Sequence, residues 1–135
     1  MRTFTRSALV LGAALSLATA AFAGAALADG SAAPGVIRKS GSCTNGSTWK
    51  LKIKPDDGRI ESEFEVDQNV NGAKWHVVLR NDGVKFFEGD RTTRAPSGSF
   101  SLTRFSTNGT GPDRIAARAR NLATGEICGG AATLP

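Results

Sequence analysis

Glu61, Glu63 and Glu65 alternate along "RIESEFEV", so they share one face of an extended chain and stand about 6.6–6.8 Å apart. That spacing falls near the carboxylate separation of inverting glycosidases. A general acid, though, needs an apolar surround to raise its pKa. The preceding "WKLKIK" instead supplies Lys50, Lys52 and Lys54 at the same alternation. Read together, the two segments are one hairpin whose charges share the wet face. A four-residue turn over Pro55, Asp56, Asp57 and Gly58 sets the expected register. It puts Lys54 opposite Arg59, Ile53 opposite Ile60 and Trp49 opposite Phe64, with Lys52 beside Glu61 and Lys50 beside Glu63. The glutamates then fix register and do not catalyse.

The remaining candidates for chemistry are sparse. "DQNVNG", Asp67 to Gly72, matches the first half of a calcium loop, but the bidentate glutamate needed at the twelfth position is replaced by Val78. An Asn-Gly bend explains the same residues. His76 is the single histidine, too little for a metal cluster, and no serine sits in a G-x-S-x-G elbow. Asn45-Gly46-Ser47 and Asn108-Gly109-Thr110 match the glycosylation sequon and also read as turns. Cys43 and Cys128 are the only cysteines and lie near the two ends. They are expected to form one structural disulfide, which in the chain-entropy model restricts the unfolded state by about 4–5 kcal/mol. No metal, cofactor or catalytic residue is expected.

The elements that must carry these residues follow from punctuation. Asn45-Gly46, Asp57-Gly58, Asn71-Gly72, Asp82-Gly83 and Asn108-Gly109 recur at near-regular intervals, joined by Pro96-Ser97-Gly98, Gly111-Pro112 and Thr124-Gly125. Short alternating segments lie between them, which points to an all-β sandwich or barrel. "DRIAARARNLA" has helical propensity, but its alternation and close flanking turns predict a strand. The expected core is Trp49, Leu51, Ile53, Ile60, Phe64, Val66, Trp75, Val77, Leu79, Phe100, Leu102, Ile115, Ala117 and Ala119.

The first residues address the chain. Arg2 and Arg6 precede an alanine-rich apolar run closed by Ala21-Phe22-Ala23 and Ala26-Leu27-Ala28, the layout of a cleaved secretory signal peptide over residues 1–28. A membrane anchor is the alternative; the small residues and the polar "DGSAAPG" that follows favour removal. A flexible leader is expected over 29–40 and one domain over 41–135, secreted and free of the membrane. Losing the two arginines lowers the net charge from +5 to +3, with 15 basic against 12 acidic residues. So mild a balance, read as basic side chains scattered among acidic ones, gives no expectation of nucleic acid.

The pattern resembles an immunoglobulin-like or fibronectin-III-like sandwich of about seven strands. Trp75 stands where that fold places a buried tryptophan. Asp113 to Ala119 is similar to its strand F, with Ala117 and Ala119 in the places of the inward tyrosine and cysteine. The chain contains no tyrosine, so the tyrosine corner is missing, as is the usual inter-sheet disulfide. Overall the chain resembles small secreted actinobacterial sandwich proteins, a resemblance that implies fold and no particular activity.

One stretch stands apart, "WHVVLRNDGVKFFEG". A two-residue turn at Asp82-Gly83 pairs Leu79 with Phe86 inside and Val78 with Phe87 outside, beside His76, Arg80 and Lys85. A one-residue shift would put Phe86 outside instead. The expected interaction surface is therefore His76, Val78, Arg80, Lys85 and Phe87. The expected function is a secreted, non-catalytic binding module, monomer or weak homodimer, for a protein or polysaccharide partner. One alternative is a carbohydrate-binding module with Trp49 or Trp75 exposed as a stacking platform. Another is a hydrolase inhibitor presenting the loop from Arg91 to Ser99, which lacks the disulfide brace usual for such loops.

Overall fold

The computed structural model describes residues 35–135. The expected signal peptide, and the leader as far as residue 34, lie outside the described residues. Eight strands follow, and no helix occurs among the described residues: β1 (Ile37–Ser42), β2 (Thr48–Asp56), β3 (Arg59–Asp67), β4 (Lys74–Asn81), β5 (Val84–Thr92), β6 (Ser99–Thr107), β7 (Asp113–Asn121) and β8 (Ile127–Leu134). They form two antiparallel sheets, in the orders β1-β2-β3-β6 and β5-β4-β7-β8. Three strands, β2-β3-β6, face four, in keeping with the expected sandwich. β1 is the addition. It pairs with β2 from Ile37 onward, so Ile37 to Ser40 belong to the sheet and not to a leader.

Every side chain expected in the core is buried, joined by Cys128, Ala132 and Leu134. Phe100 sits between Phe64 and Trp75, with ring centroids 6.4 Å from each, at separations typical of favourable aromatic pairs. The Trp75 indole satisfies its one donor by giving a hydrogen bond to Gln68 Oε1 at 3.1 Å. The stretch with helical propensity is strand β7, because its alternation buries Ile115, Ala117 and Ala119.

Two tight turns decide the registers. Asp57 and Gly58 both have positive φ, 46° and 73°, the signature of a two-residue hairpin loop matched to strand twist. Asp56 therefore pairs with Arg59, and Lys54 with Glu61, Lys52 with Glu63 and Lys50 with Glu65. The four-residue turn expected from sequence is corrected, and with it Lys54 opposite Arg59, Ile53 opposite Ile60 and Trp49 opposite Phe64. The partners are instead Ser62 for Ile53 and Val66 for Trp49. An offset of two residues exchanges partners without exchanging faces, so the buried set survives the correction.

One long side of the sandwich is closed. Cys43, in the β1–β2 loop, is bonded to Cys128 of β8 with Cα atoms 4.4 Å apart. Thr44 adds two bonds to Ile127, its N–H to the carbonyl at 3.0 Å and its hydroxyl accepting the amide at 2.9 Å. Glu126 is buried and accepts from Asn45 N–H at 3.1 Å, Ser47 N–H at 2.9 Å and the Ser47 hydroxyl at 2.9 Å. These donors compensate a carboxylate that would otherwise be costly to bury. Trp49 lies across the seam over two glycines: a Cβ at Gly130 would fall 2.3 Å from Trp49 Cη2, and one at Gly41 3.0 Å from its Nε1. Replacing Gly130 with alanine should cost about 1–3 kcal/mol through overpacking, read as a lowered urea midpoint. A midpoint equal to wild type would show that the indole has room to move.

Candidate functional site

The second hairpin turns at Asp82 and Gly83, with φ 46° and 83°. Asn81 pairs with Val84 and Arg80 with Lys85, but the register then shifts between Leu79 and Arg80, so that Leu79 pairs with Phe87 and Val78 with Glu88. A β-bulge places an extra residue on one strand. Here it sends both Phe86 and Phe87 inward, where each packs on the core margin. Phe87 is covered by the guanidinium groups of Arg91 at 5.0 Å and Arg104 at 4.6 Å. The expected patch is thus corrected: Phe87 leaves the outer face, and neither phenylalanine shares that face with Val78.

The other four expected residues do stand together. His76, Val78 and Arg80 alternate outward from β4, and Lys85 stands beside Arg80 across the strand pair. His76 is held on both ring nitrogens, Nδ1 by Asp90 at 2.8 Å and Nε2 by Glu88 at 3.1 Å. Its pKa is raised above the usual 6.5, chiefly by the Asp90 hydrogen bond and next by that of Glu88. Lys85 also bonds to Glu88, and this contact, with His76 second, lowers the Glu88 pKa. The two carboxylates on this face are therefore occupied at its β5 edge.

Strand β7 supplies what the sequence reading missed. Its inward residues are Ile115, Ala117 and Ala119, so Arg114, Arg118 and Arg120 point out and are exposed. Arg80 of β4 lies opposite Ala116, between them. None of these four arginines has a side-chain partner in a hydrogen bond or ion pair among the described residues; Asp82 takes only the backbone N–H of Arg114, at 2.9 Å. With Lys74 and Lys85, the face carries six cationic side chains to the two carboxylates Glu88 and Asp90. The floor is small. One shallow trough of about 320 Å³ is lined by Val78, Arg80, Ala116 and Arg118. A second, of about 310 Å³, lies toward β8 over Gly129 and Ala131.

On the opposite face the β2–β3 ladder is neutralised. Lys50 meets Glu65 at 3.7 Å, Lys54 meets Glu61 at 3.3 Å, and Lys52 is paired with Glu63. Basic residues are thus interspersed with acidic ones on one sheet, as the sequence suggested, and gathered apart from them on the other. The sequence held a usable signal, since "RIAARAR" read as a strand already puts all its arginines on one side. Their freedom from acidic partners, however, depends on which strands lie beside β7.

The other candidates are engaged elsewhere. Asp67 accepts the Asn69 N–H at 3.1 Å and so closes a local turn. Trp49 and Trp75 are 9% and 0% exposed, so neither forms a stacking platform. The loop from Arg91 to Ser99 is braced without a disulfide: Arg94 N–H bonds Ser99 O and Gly98 N–H bonds Arg94 O, both at 2.9 Å, and Gln68 N–H bonds Gly98 O at 3.1 Å. A larger cleft of about 700 Å³ opens between β5 and β6 beside Val84, Phe86 and Phe105. Its charged groups serve one another or the backbone. Asp113 accepts from Asn81 Nδ2 at 3.2 Å and Gly109 N–H at 3.1 Å, and Arg59 bonds Asp56 at 3.0 Å while lying 4.4 Å from the Phe105 ring centre. Comparison with known proteins finds no family model that matches this chain and no curated protein significantly similar to it.

Two outcomes follow from the bulge and the histidine clamp. Phe87→Ser should destabilise the domain by about 1–3 kcal/mol, because it removes a ring from the core margin; a loss below about 0.5 kcal/mol would return Phe87 to the surface. By NMR, His76 should titrate above 6.5, and Asp90→Asn should lower that midpoint. Because the folded pKa is raised, the clamp's small contribution to stability is complete below about 6.5 and fades as pH rises through the folded value. A His76 midpoint at or below 6.5 would contradict the clamp.

Proposed function

We propose that this protein is a secreted, non-catalytic binding module that engages its partner through the outer face of sheet β5-β4-β7-β8. The observation that carries the reading is the row of exposed, unpartnered arginines, Arg80, Arg114, Arg118 and Arg120, set over a floor of alanine, glycine, valine and Ile127. Arginine side chains gain from burial against a partner because their planar forks are weakly hydrated and make paired hydrogen bonds. The non-catalytic part of the reading is supported by how the reactive side chains are used. The three glutamates are paired to lysines, both nitrogens of His76 are held, and the cysteines are joined. Secretion is supported by the amino-terminal pattern and by the disulfide, which persists in oxidising compartments. The resemblance to secreted immunoglobulin-like sandwiches agrees with this reading.

Immobilised mature domain should retain material from the producing cells' wall fraction or culture medium. The double variant Arg80→Glu/Arg118→Glu should lose at least about ten-fold of that capture, as expected when cations at a contact are reversed, with its thermal midpoint unchanged. Equal capture by the variant would remove this face from the reading.

A further inference from the structure

The geometry points to a linear phosphodiester polymer, one charge per repeat and no bases to read, as the partner of the arginine face; this rests on the binding-module reading above. Arg118 and Arg120 are two residues apart on β7, Arg114 lies four residues before Arg118, and Arg80 stands opposite the intervening Ala116. Two-residue steps on a strand are about 6.6–6.8 Å. The four cations therefore succeed one another along the strand at one such step, with Arg80 offset to the neighbouring strand. A row of this kind matches a chain that carries its charge at regular intervals, better than it matches a compact anion.

The chemistry of the face narrows the class. Guanidinium groups pair in bidentate fashion with phosphate and carboxylate oxygens. No phenylalanine or tryptophan stands on this face: the chain's two tryptophans are buried, β4 points Lys74, His76, Val78 and Arg80 outward, β7 its three arginines and Ala116, and β8 Ile127, Gly129, Ala131 and Thr133. Recognition of single-stranded nucleic acid relies on aromatic platforms for the bases. The floor of Ala116, Gly129 and Ala131, ended by Ile127, lets a thin chain lie between the arginines, and the one ring on this face, His76, is held by Asp90 and Glu88 at the β5 edge. The carboxylates Glu88 and Asp90 close the β5 edge, held there by Lys85 and His76. They repel an anion from that side and confine it to the β4–β7–β8 side, along the strands.

The test uses the intact mature protein and a synthetic glycerol-phosphate oligomer, with polygalacturonate, a thymidine oligonucleotide and uncharged dextran as comparators. The glycerol-phosphate oligomer should bind most tightly. Its log affinity should fall with log salt at a slope of about −3, the value for four released counterions on a single-stranded polyanion, or about 50-fold between 50 and 200 mM salt. Arg80→Glu/Arg118→Glu should weaken it at least about ten-fold, while Arg38→Glu/Lys39→Glu, the same charge change on β1 of the other sheet, should leave it within about two-fold. Tighter binding of polygalacturonate or of the oligonucleotide, an equal loss in the β1 variant, or no binding of any polyanion would each overturn the proposal. If the wall-fraction capture depends on Arg80 and Arg118 while no polyanion binds, the binding-module reading stands and the polymer falls. If neither depends on them, both fall.

Discussion

The structure depends on a single constraint, the two-residue period of a β-strand acting through turns of two residues. Asp57-Gly58 and Asp82-Gly83 both take positive φ at each residue, yet their hairpins differ in consequence. After the first, β2 and β3 run in unbroken register, so three lysines meet three glutamates and every apolar partner stays inside. After the second, one extra residue in β5 reverses the parity of everything beyond it. Without the bulge, a phenylalanine would stand in water beside Val78. With it, both phenylalanines serve the core margin and Glu88 comes to the outer face, within reach of His76.

That parity settles the electrostatics of the molecule. Exposed ion pairs such as those on the β2–β3 face contribute only about 0–1 kcal/mol each, so their weight lies in register, where a one-residue slip would bury three charges of each sign. The β4–β7 face has no such ladder. The acids available to it stand on β5, a strand away from the arginines of β7. Unpaired guanidinium groups on a flat sheet cost little while solvated, and they leave binding energy unused within the fold.

The two long sides of the sandwich are finished differently. On the β1–β8 side, the disulfide, the Glu126 carboxylate and Trp49 over its two glycines close the gap. On the β5–β6 side, Arg91 and Arg104 lie over Phe87. The guanidinium of Arg104 is an inward-pointing charge on an edge strand, a device that discourages pairing with a further strand. The β1–β8 side is thus sealed covalently, whereas the β5–β6 side is covered by arginine over Phe87 and stays open as a cleft beside Val84, Phe86 and Phe105.

The class of fold, the core and the staple are legible in the order of residues alone. Each follows from local facts: alternation selects which residues are buried, Asx-Gly pairs mark the turns, and two cysteines leave a single pairing. Even a wrong turn length for the first hairpin left the core intact, because the error moved the register by an even number of residues. Tertiary structure decided the rest. Whether Phe87 faces in or out rests on one inserted residue, and both registers satisfy the alternation of "VVLRNDGVKFF" equally well. Whether Ile37 to Ser40 form a strand rests on the free edge that β2 offers them. Whether the arginines of β7 are paired rests on strand order, and strand order is a property of the assembled sheets that no single segment encodes.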